Sequence, residues 1–565
     1  MTLPAIPGIP QFATLAGGNQ PLSIIDTAFS AVENYIEVSI EAFGGAGDGT
    51  TDNYTPIQNA FAYLQSVGGG KLRFPHGNYF VNQHIISGGA SANGITSFTL
   101  SNLNGVVIEG EGSTIQMQGG WTASADYSAS GHTYSYNECI GFLFSACTDV
   151  TINNLTINGG SATIAKVATA ENFSYGVYLQ GCYNFSMNNV TVSNYTTDGF
   201  AIDLLGPVTA FKVSQFVYAT NCKFTLNARN GMSILQCRHA VFIACEFGNQ
   251  GTASFGVYAP GAGVDIEPNY YPGEGGGGSV NGDEFTGDIT FIGCDFASNH
   301  GYQFVSSSLI ATPYPVNFIG CSFRDTLRDN PQVVPGSAYT SFVSCNFNNV
   351  ALWPSYGNNS NIVVRASNCD FSSLDPALQV LYFANTSGEF VVDHCDFTFN
   401  SPTAHTQYRI FIESPGFTFT SNSIYAAATE YAGSSGQDLI FLLENSFLLS
   451  GNRWSTNLAA GGKSFFVPTT GSTVINETFL PLTFINPGNG ITTSSVTLSP
   501  QSISILQDTA SSATLQFGAA APTTGAQIQG SIVFNLYAAA LGEVGWVCVT
   551  SGTPGTWKTF GVISA

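Results

Sequence analysis

The segment Gly263-Val-Asp-Ile-Glu-Pro268 sets two carboxylates, Asp265 and Glu267, at positions i and i+2. On a strand such residues share a face, about 6–7 Å apart between Cα atoms. Carboxyl groups that close repel one another, which raises one pKa and leaves a protonated acid beside an ionised partner. Glycoside hydrolysis uses that division: one group protonates the leaving oxygen and the other acts as base or nucleophile. Carboxyl separations of about 5–5.5 Å imply retention and about 6.5–9.5 Å inversion, and the spacing here leans towards inversion. The competing reading is a solvated acidic turn or a cation site.

A third carboxylate, Asp203, joins through register. Glycines open a strand in several turns, at Gly176, Gly199, Gly231, Gly263 and Gly301. Aligned on them, Phe200, Met232, Val264 and Tyr302 form one inward column, and Ile202, Ile234, Ile266 and Phe304 a second. The residues between face solvent: Tyr178, Ala201, Ser233, Asp265 and Gln303, then Gln180, Asp203, Leu235, Glu267 and Val305. Asp203 and Glu267 then lie two turns apart, about 9–10 Å between backbones. Asp198, Asn230 and His300 precede glycines and are types that tolerate left-handed backbone.

Other groups surround this patch. Arg229 and His300 flank the same strands and suit binding of acidic sugars or help as a base, and Tyr302 lies beside them. Tyr270 and Tyr271 open a Gly-rich insertion, EPNYYPGEGGGGSVNGDEF. They fit either stacking on sugar faces or packing the loop onto the scaffold. GEGGGG lacks the Lys-Ser/Thr of a phosphate-binding loop. The seven histidines show no zinc-ligand spacing, so neither metal nor cofactor is expected.

The elements that must hold these groups are written in the cysteines. FIACEF, FIGCDF, FIGCSF and FVSCNF carry Cys245, Cys294, Cys321 and Cys345; TNCKF, SNCDF and DHCDF carry Cys222, Cys369 and Cys395. From Cys294 onward the gaps are 27, 24, 24 and 26 residues. Leu155, Val190, Asn422 and Asn452 fill the same slot elsewhere. A slot that accepts Leu or Val points inward and holds a small hydrophobe, not a metal ligand or a bridge. Repeats of this length, β-rich and poor in helix, specify a parallel β-solenoid whose turns stack about 4.8 Å apart. Propeller blades need about 40–50 residues each. Between Cys245 and Cys294 the gap swells to 49 residues, just where the insertion follows Glu267.

Composition agrees. A chain of 565 residues exceeds one compact core. Charged residues are only 9%, and the net charge is −22, which disfavours a nucleic-acid partner. No apolar run is long enough to span a membrane, and the first residues lack the features of a secretory signal.

A solenoid needs a cap. Ile57, Ala60, Phe61 and Leu64 have helical spacing, with Thr55 as N-cap, Pro56 at the first helical position and Gly68–Gly70 as the stop. The pattern G-D-G-x-x-D-N, helix, G-G-G-x-L-x-F-P-x-G-x-Y resembles the opening motif of the pectate-lyase-like, right-handed parallel β-helix superfamily, and most closely bacteriophage tailspike depolymerases. Residues 18–38 and 542–561 resemble elements of phage tail proteins. The likeness implies an all-β, elongated homotrimer carried on a phage tail, joined to a tail or baseplate protein through its N-terminus. It would act outside the cell on bacterial surface polysaccharide. The expected divisions are 1–40 for attachment or trimerisation, 41–486 for the β-helix with its cap at 41–85, and 487–565 for a C-terminal β-rich module that trimerises or binds carbohydrate. Three functions fit: a capsular or exopolysaccharide hydrolase using Asp203, Asp265 and Glu267; a polysaccharide lyase; or a non-enzymatic receptor-binding spike.

Overall fold

A computed structural model describes residues 36–82, 95–117, 126–129, 132–135 and 139–160, most of 175–456, short strands from there to Leu498, and 515–564. The chain falls into two units, Met1–Pro331 and Gln332–Ala565. Both are built as parallel β-solenoids, and among the described residues the one α-helix is Tyr54–Val67. None there is long and apolar enough to cross a membrane.

In the first unit each turn contributes two strands to one wall and one strand to a second. The turn around Cys245 is typical: Cys237–Ile243 and Glu246–Gly248 pair in parallel with Gly287–Ile292 and Asp295–Ala297 of the next turn. The bend between the two strands of a wall has one recurrent conformation. The residue before each slot position takes φ near +50 to +70°: Asn221, Ala244, Gly293, Gly320, and likewise Asn368 and His394 in the second unit. That conformation turns the chain so that the following Cys points inward. Asn and Gly recur there because they tolerate it best.

The interior is a set of ladders. Phe224, Phe247, Phe296 and Phe323 stack with centroids 5.3, 5.1 and 4.7 Å apart. In the second unit Phe347, Phe371 and Phe397 do the same at 4.5 and 4.7 Å. Each buried ring adds about 1.5–3 kcal/mol by burial, and stacking adds about 0.5–1.5 kcal/mol more. The described cysteines are all free and buried. Their thiols point at backbone carbonyls one turn back: Cys222 at Met187, Cys245 at Ala219, Cys294 at Phe242. Where Asn takes the slot, its amide does the same work, Asn422 donating to Val392 and Asn452 to Phe419. Burial holds the Cys237 thiol well above its ordinary pKa, so it is chemically quiet.

The cap helix buries Ile57, Ala60, Phe61 and Leu64 and ends at Gly68 in the left-handed region. Its start differs from the expectation: the N-cap is Asn53, so Pro56 is the third helical residue. Asn53 makes no capping bond to the helix; its amide instead joins Ala46, Thr51 and Phe80. A buried amide that ties three chain segments together fixes where the helix begins. A Cβ at Gly70 would run into the Ile36 carbonyl, so the strand Gly70–Arg73 lies close under the chain before it.

Two expected boundaries shift. Glu37–Ser39 already pairs with Lys71–Arg73, so the solenoid starts before residue 41. At the other end, solenoid pairing continues past 487, to Val496–Leu498. A separate four-stranded sheet covers Leu515–Gly518, Ile532–Asn535, Glu543–Thr550 and Thr556–Val562. Residues 1–35 lie outside the described part of the chain, as do 83–85 of the expected cap segment.

Candidate functional site

The candidate acids lie along three successive strands of the second wall in the first unit, Asp198–Asp203, Met232–Ile234 and Val264–Ile266: Asp203 ends the first, Asp265 is central in the third and Glu267 follows it. Phe200, Met232 and Val264 pair in register, as do Ala201, Ser233 and Asp265. The glycines ahead of them explain the alignment. A Cβ at Gly231 would sit 2.6 Å from the Gly263 carbonyl oxygen, and one at Gly263 would sit 2.6 Å from that of Gln303. These glycines permit close stacking; left-handed backbone is not the reason for them, since neither Asp198, Asn230 nor His300 has positive φ.

The next turn departs from the expected register. Val264 pairs with Phe304 and Asp265 with Val305, and the Gly301 amide donates to Gly261. Gly301 therefore matches Gly261, the first glycine of GAGVD, and not Gly263. The offset of two residues keeps each side chain on its face but moves Tyr302 and Gln303 away from Val264 and Asp265.

The positions read as solvent-facing are largely covered. Asp198 is 0% exposed, Asp265 4% and Asp203 6%. Only the Glu267 side chain, 52% exposed, opens broadly to solvent. One guanidinium organises the acids: Arg229 lies 3.7 Å from Asp198, 3.9 Å from Asp265 and 3.4 Å from Glu267. Asp265 and Glu267 meet the same Arg229 nitrogen, so those two carboxylate oxygens lie no more than about 7 Å apart. Arg229, expected to meet substrate, is thus engaged by the protein's own carboxylates.

Hydrogen bonds fix the rest. Ser233 donates to Asp198 at 2.7 Å, and the Asn230 amide reaches Ser233 at 3.1 Å and Asp265 at 3.4 Å. The backbone N–H of Asn230 also donates to Asp198. Asp203 accepts from the Tyr178 hydroxyl at 2.9 Å and from the Leu204 N–H at 2.7 Å. Burial first, then the Glu267 charge, pushes Asp265 up to about 8, with Arg229 pulling the other way and Asp198 adding to the rise. Burial raises Tyr178 well above its usual range, with the Asp203 charge adding to it.

The sequence reading of Asp198 as a turn residue missed its part in the network. The signal was present: a carboxylate one strand before Asn230 and Ser233 has two donors within reach. Leu235 and Glu267 donate backbone N–H groups to Ile202 and Ile234 in the same pattern, so Asp203, Leu235 and Glu267 follow one column as expected. His300 is partly buried, with its backbone N–H on Gln250. Tyr270 lies outside the described residues. Tyr271 begins a short strand, Tyr271–Pro272, paired antiparallel with Ser279–Val280, so the insertion contains a hairpin.

No family model matches the chain. The uncharacterized protein YclG of Bacillus subtilis (strain 168) is 26% identical over 125 residues, which is 20% of this chain and 21% of that protein. The chain thus matches about a fifth of that relative. Among solved structures, the mannuronan C-5 epimerase AlgE6 A-module of Azotobacter vinelandii is similar with TM-score 0.40 and 14% identity, over 82% of this chain and 99% of that one. The tailspike protein gp49 of Acinetobacter baumannii bacteriophage Fri1, a capsular polysaccharide depolymerase, gives 0.34 and 14%, over 82% and 63%. Tailspike protein 3 of bacteriophage CBA120 gives 0.38 and 13%, over 96% and 71%. Likenesses this loose leave the chemistry of the site to its own geometry.

Proposed function

We propose that this chain is a phage-tailspike polysaccharide depolymerase that cleaves a bacterial capsular or exopolysaccharide by glycoside hydrolysis. One arrangement carries the reading: Asp265, buried beside Arg229 so that its carboxyl is pushed up to about 8, stands two residues from an exposed Glu267 on the same guanidinium. Asp265 gives its proton to the glycosidic oxygen as the bond to the anomeric carbon breaks. Glu267, 3.4 Å from Arg229, takes a proton from the attacking water. Asp203, two turns along the same column, extends the acidic floor beneath the polymer, and Tyr178 sets its orientation. The fold suits the task, because rigid strands hold the acids in fixed register. Transport on a phage tail, trimer formation and attachment through the N-terminus belong to the same proposal, supported by the tail-protein resemblance of residues 18–38 and 542–561.

A lyase would need a cation free to neutralise a uronate carboxylate, and Arg229 is already shared among three acids. Incubation with purified capsular polysaccharides separates the readings. Hydrolysis releases reducing ends without new absorbance near 235 nm (the wavelength of unsaturated uronates). Absorbance there would replace hydrolysis by elimination, and intact polymer across the panel would leave a binding spike.

A further inference from the structure

The first wall of the first unit carries an open depression of about 440 Å³, lined by Glu111, Gly112, Asn154, Leu155, Thr156 and Asn189. That volume falls within the ~300–1,000 Å³ of common ligand sites. The depression lies at a break in the ladder between the strands Asn104–Met117 and Thr148–Asn158. Glu109 pairs with Asn153 and Ser113 with Leu155, so three residues, Gly110–Gly112, stand opposite Asn154 alone. Such a bulge bends its strand and re-aims a side chain, here Glu111. Glu111 takes φ of +49° and Gly112 +80°, a region that suits Asn or Gly better than Glu. Asn154, Asn189 and Asn221 adopt it at this corner in the following turns. A carboxylate therefore stands where the backbone alone would select an amide or no side chain.

The polar lining is within reach of a ligand. Glu111, Gly112 and Asn189 are exposed, and Asn154 and Thr156 are half-buried. The amides run in one direction: Asn189 donates to the Asn154 amide oxygen at 3.0 Å, and Asn154 donates to Glu109 at 2.9 Å. Arg73 holds Glu111 by one oxygen, Oε1, at 2.6 and 2.7 Å. Among the described residues, Glu111 Oε2, the Asn189 amide oxygen and the Thr156 hydroxyl have no hydrogen-bond partner. An ion pair as exposed as Arg73–Glu111 adds little stability, so it is a weak reason for the carboxylate. Arg73 also offsets the Glu111 charge, and among the described residues no three His, Cys, Asp or Glu side chains gather to hold a metal ion. A phosphate or uronate would meet three oxygens, two of them acceptors only. A neutral sugar fits, since each hydroxyl donates to Glu111 or Asn189 and exchanges a bond with Thr156.

We propose that this depression is a second saccharide-binding site, in which Glu111, Thr156 and Asn189 hold the hydroxyls of one neutral sugar unit of the polysaccharide. It belongs to a different wall from Asp265, so it anchors the polymer and takes no part in cleavage. This rests on the reading of the chain as a polysaccharide-binding protein and not on where the glycosidic bond is cut.

Glu111 and Asn189 both sit in left-handed backbone, which Gly accepts, as Gly293 and Gly320 show at the Asn189 corner of later turns. Glu111→Gly and Asn189→Gly therefore remove the side chains and spare the fold. The test uses the full chain carrying Asp265→Asn, so that bound polymer is not degraded, on an array of purified bacterial capsular and exopolysaccharides. Adding both glycines should lower affinity about tenfold or more for the polysaccharides the parent binds, with an unchanged or higher melting temperature. Thr156→Val keeps the strand, removes the hydroxyl and should lower affinity by a smaller factor. With Asp265 restored, the two glycines should raise KM for the polymer and leave kcat unaltered. Parental affinity in the doubly substituted protein overturns the second site and leaves the proposed hydrolysis standing. A parent that binds nothing on the array overturns both. Calcium binding to the parent that vanishes in Glu111→Gly would make this a cation site and overturn the sugar.

Discussion

Two columns of the first unit show what repetition means in a solenoid. The inward column through Cys222, Cys245, Cys294 and Cys321 repeats almost without change, and every member is buried with its thiol on a carbonyl one turn back. The column Tyr178, Ala201, Ser233, Asp265 and Val305 repeats nothing, although the backbone spacing is the same. Stacking alone explains the first. The second places a hydroxyl, a carboxyl and a phenol at neighbouring positions that packing does not demand. Uniform columns build the scaffold, and the chemistry proposed above lies on the column that breaks uniformity.

The sharpest test of that contrast is Asp265→Asn. It should lower the hydrolytic rate by about 10²–10⁴ while leaving circular dichroism and melting unchanged or improved; Glu267→Gln should act similarly. An active Asp265→Asn protein would make this column ordinary surface. In the wild type, kcat should fall as pH rises through about 8, because Asp265 then loses the proton it donates.

Phe296→Ala breaks the scaffold side. Phe296 is fully buried between Phe247 and Phe323, so truncation should cost about 3–5 kcal/mol, read as a lower melting temperature. Activity per folded molecule should hold.

A smaller effect links the two columns through pH. The folded chain keeps the Asp265 proton to about 8, whereas an unperturbed aspartate releases it near 3.8. Stability from this group is therefore greatest below 3.8, declines as pH rises towards 8 and is level beyond. Asparagine cannot ionise, so the melting-temperature advantage of Asp265→Asn over wild type should widen between pH 5 and pH 8. A constant difference across that range would mean that the carboxyl titrates normally.

Least affected should be Cys294→Val, within about 1.5 kcal/mol, since Val190 fills the equivalent slot. A loss of several kcal/mol would show that the thiol contact with Phe242 matters more than shape.

The scaffold was legible because the slot tolerates few chemistries: Cys with Phe two residues on, or Leu, Val or Asn with Ile, Val or Trp there. The acid columns were legible as far as Val264, where Gly199, Gly231 and Gly263 align because each lets the next turn approach. They failed at Phe304, where Gly261 and Gly263 offered two matches and the strand chose the other. The error was two residues, the strand period, so faces survived while neighbours changed. Burial of Asp203 and Asp265 was not legible, because it depends on what covers a face and not on which face it is. The left-handed corners were assigned to the wrong end of the turn. They precede the cysteines, where asparagine, serine, histidine and glycine interchange for backbone reasons alone.

The thiol ladder also bears on how such a protein fails. In the native state the described sulfurs are buried away from dissolved oxidants, so the folded chain tolerates air. Once melted, the chain releases all of them at once, and random crosslinks between molecules become available. Heating in air should therefore be a one-way event, and adding a reductant before the melt should recover protein that would otherwise precipitate.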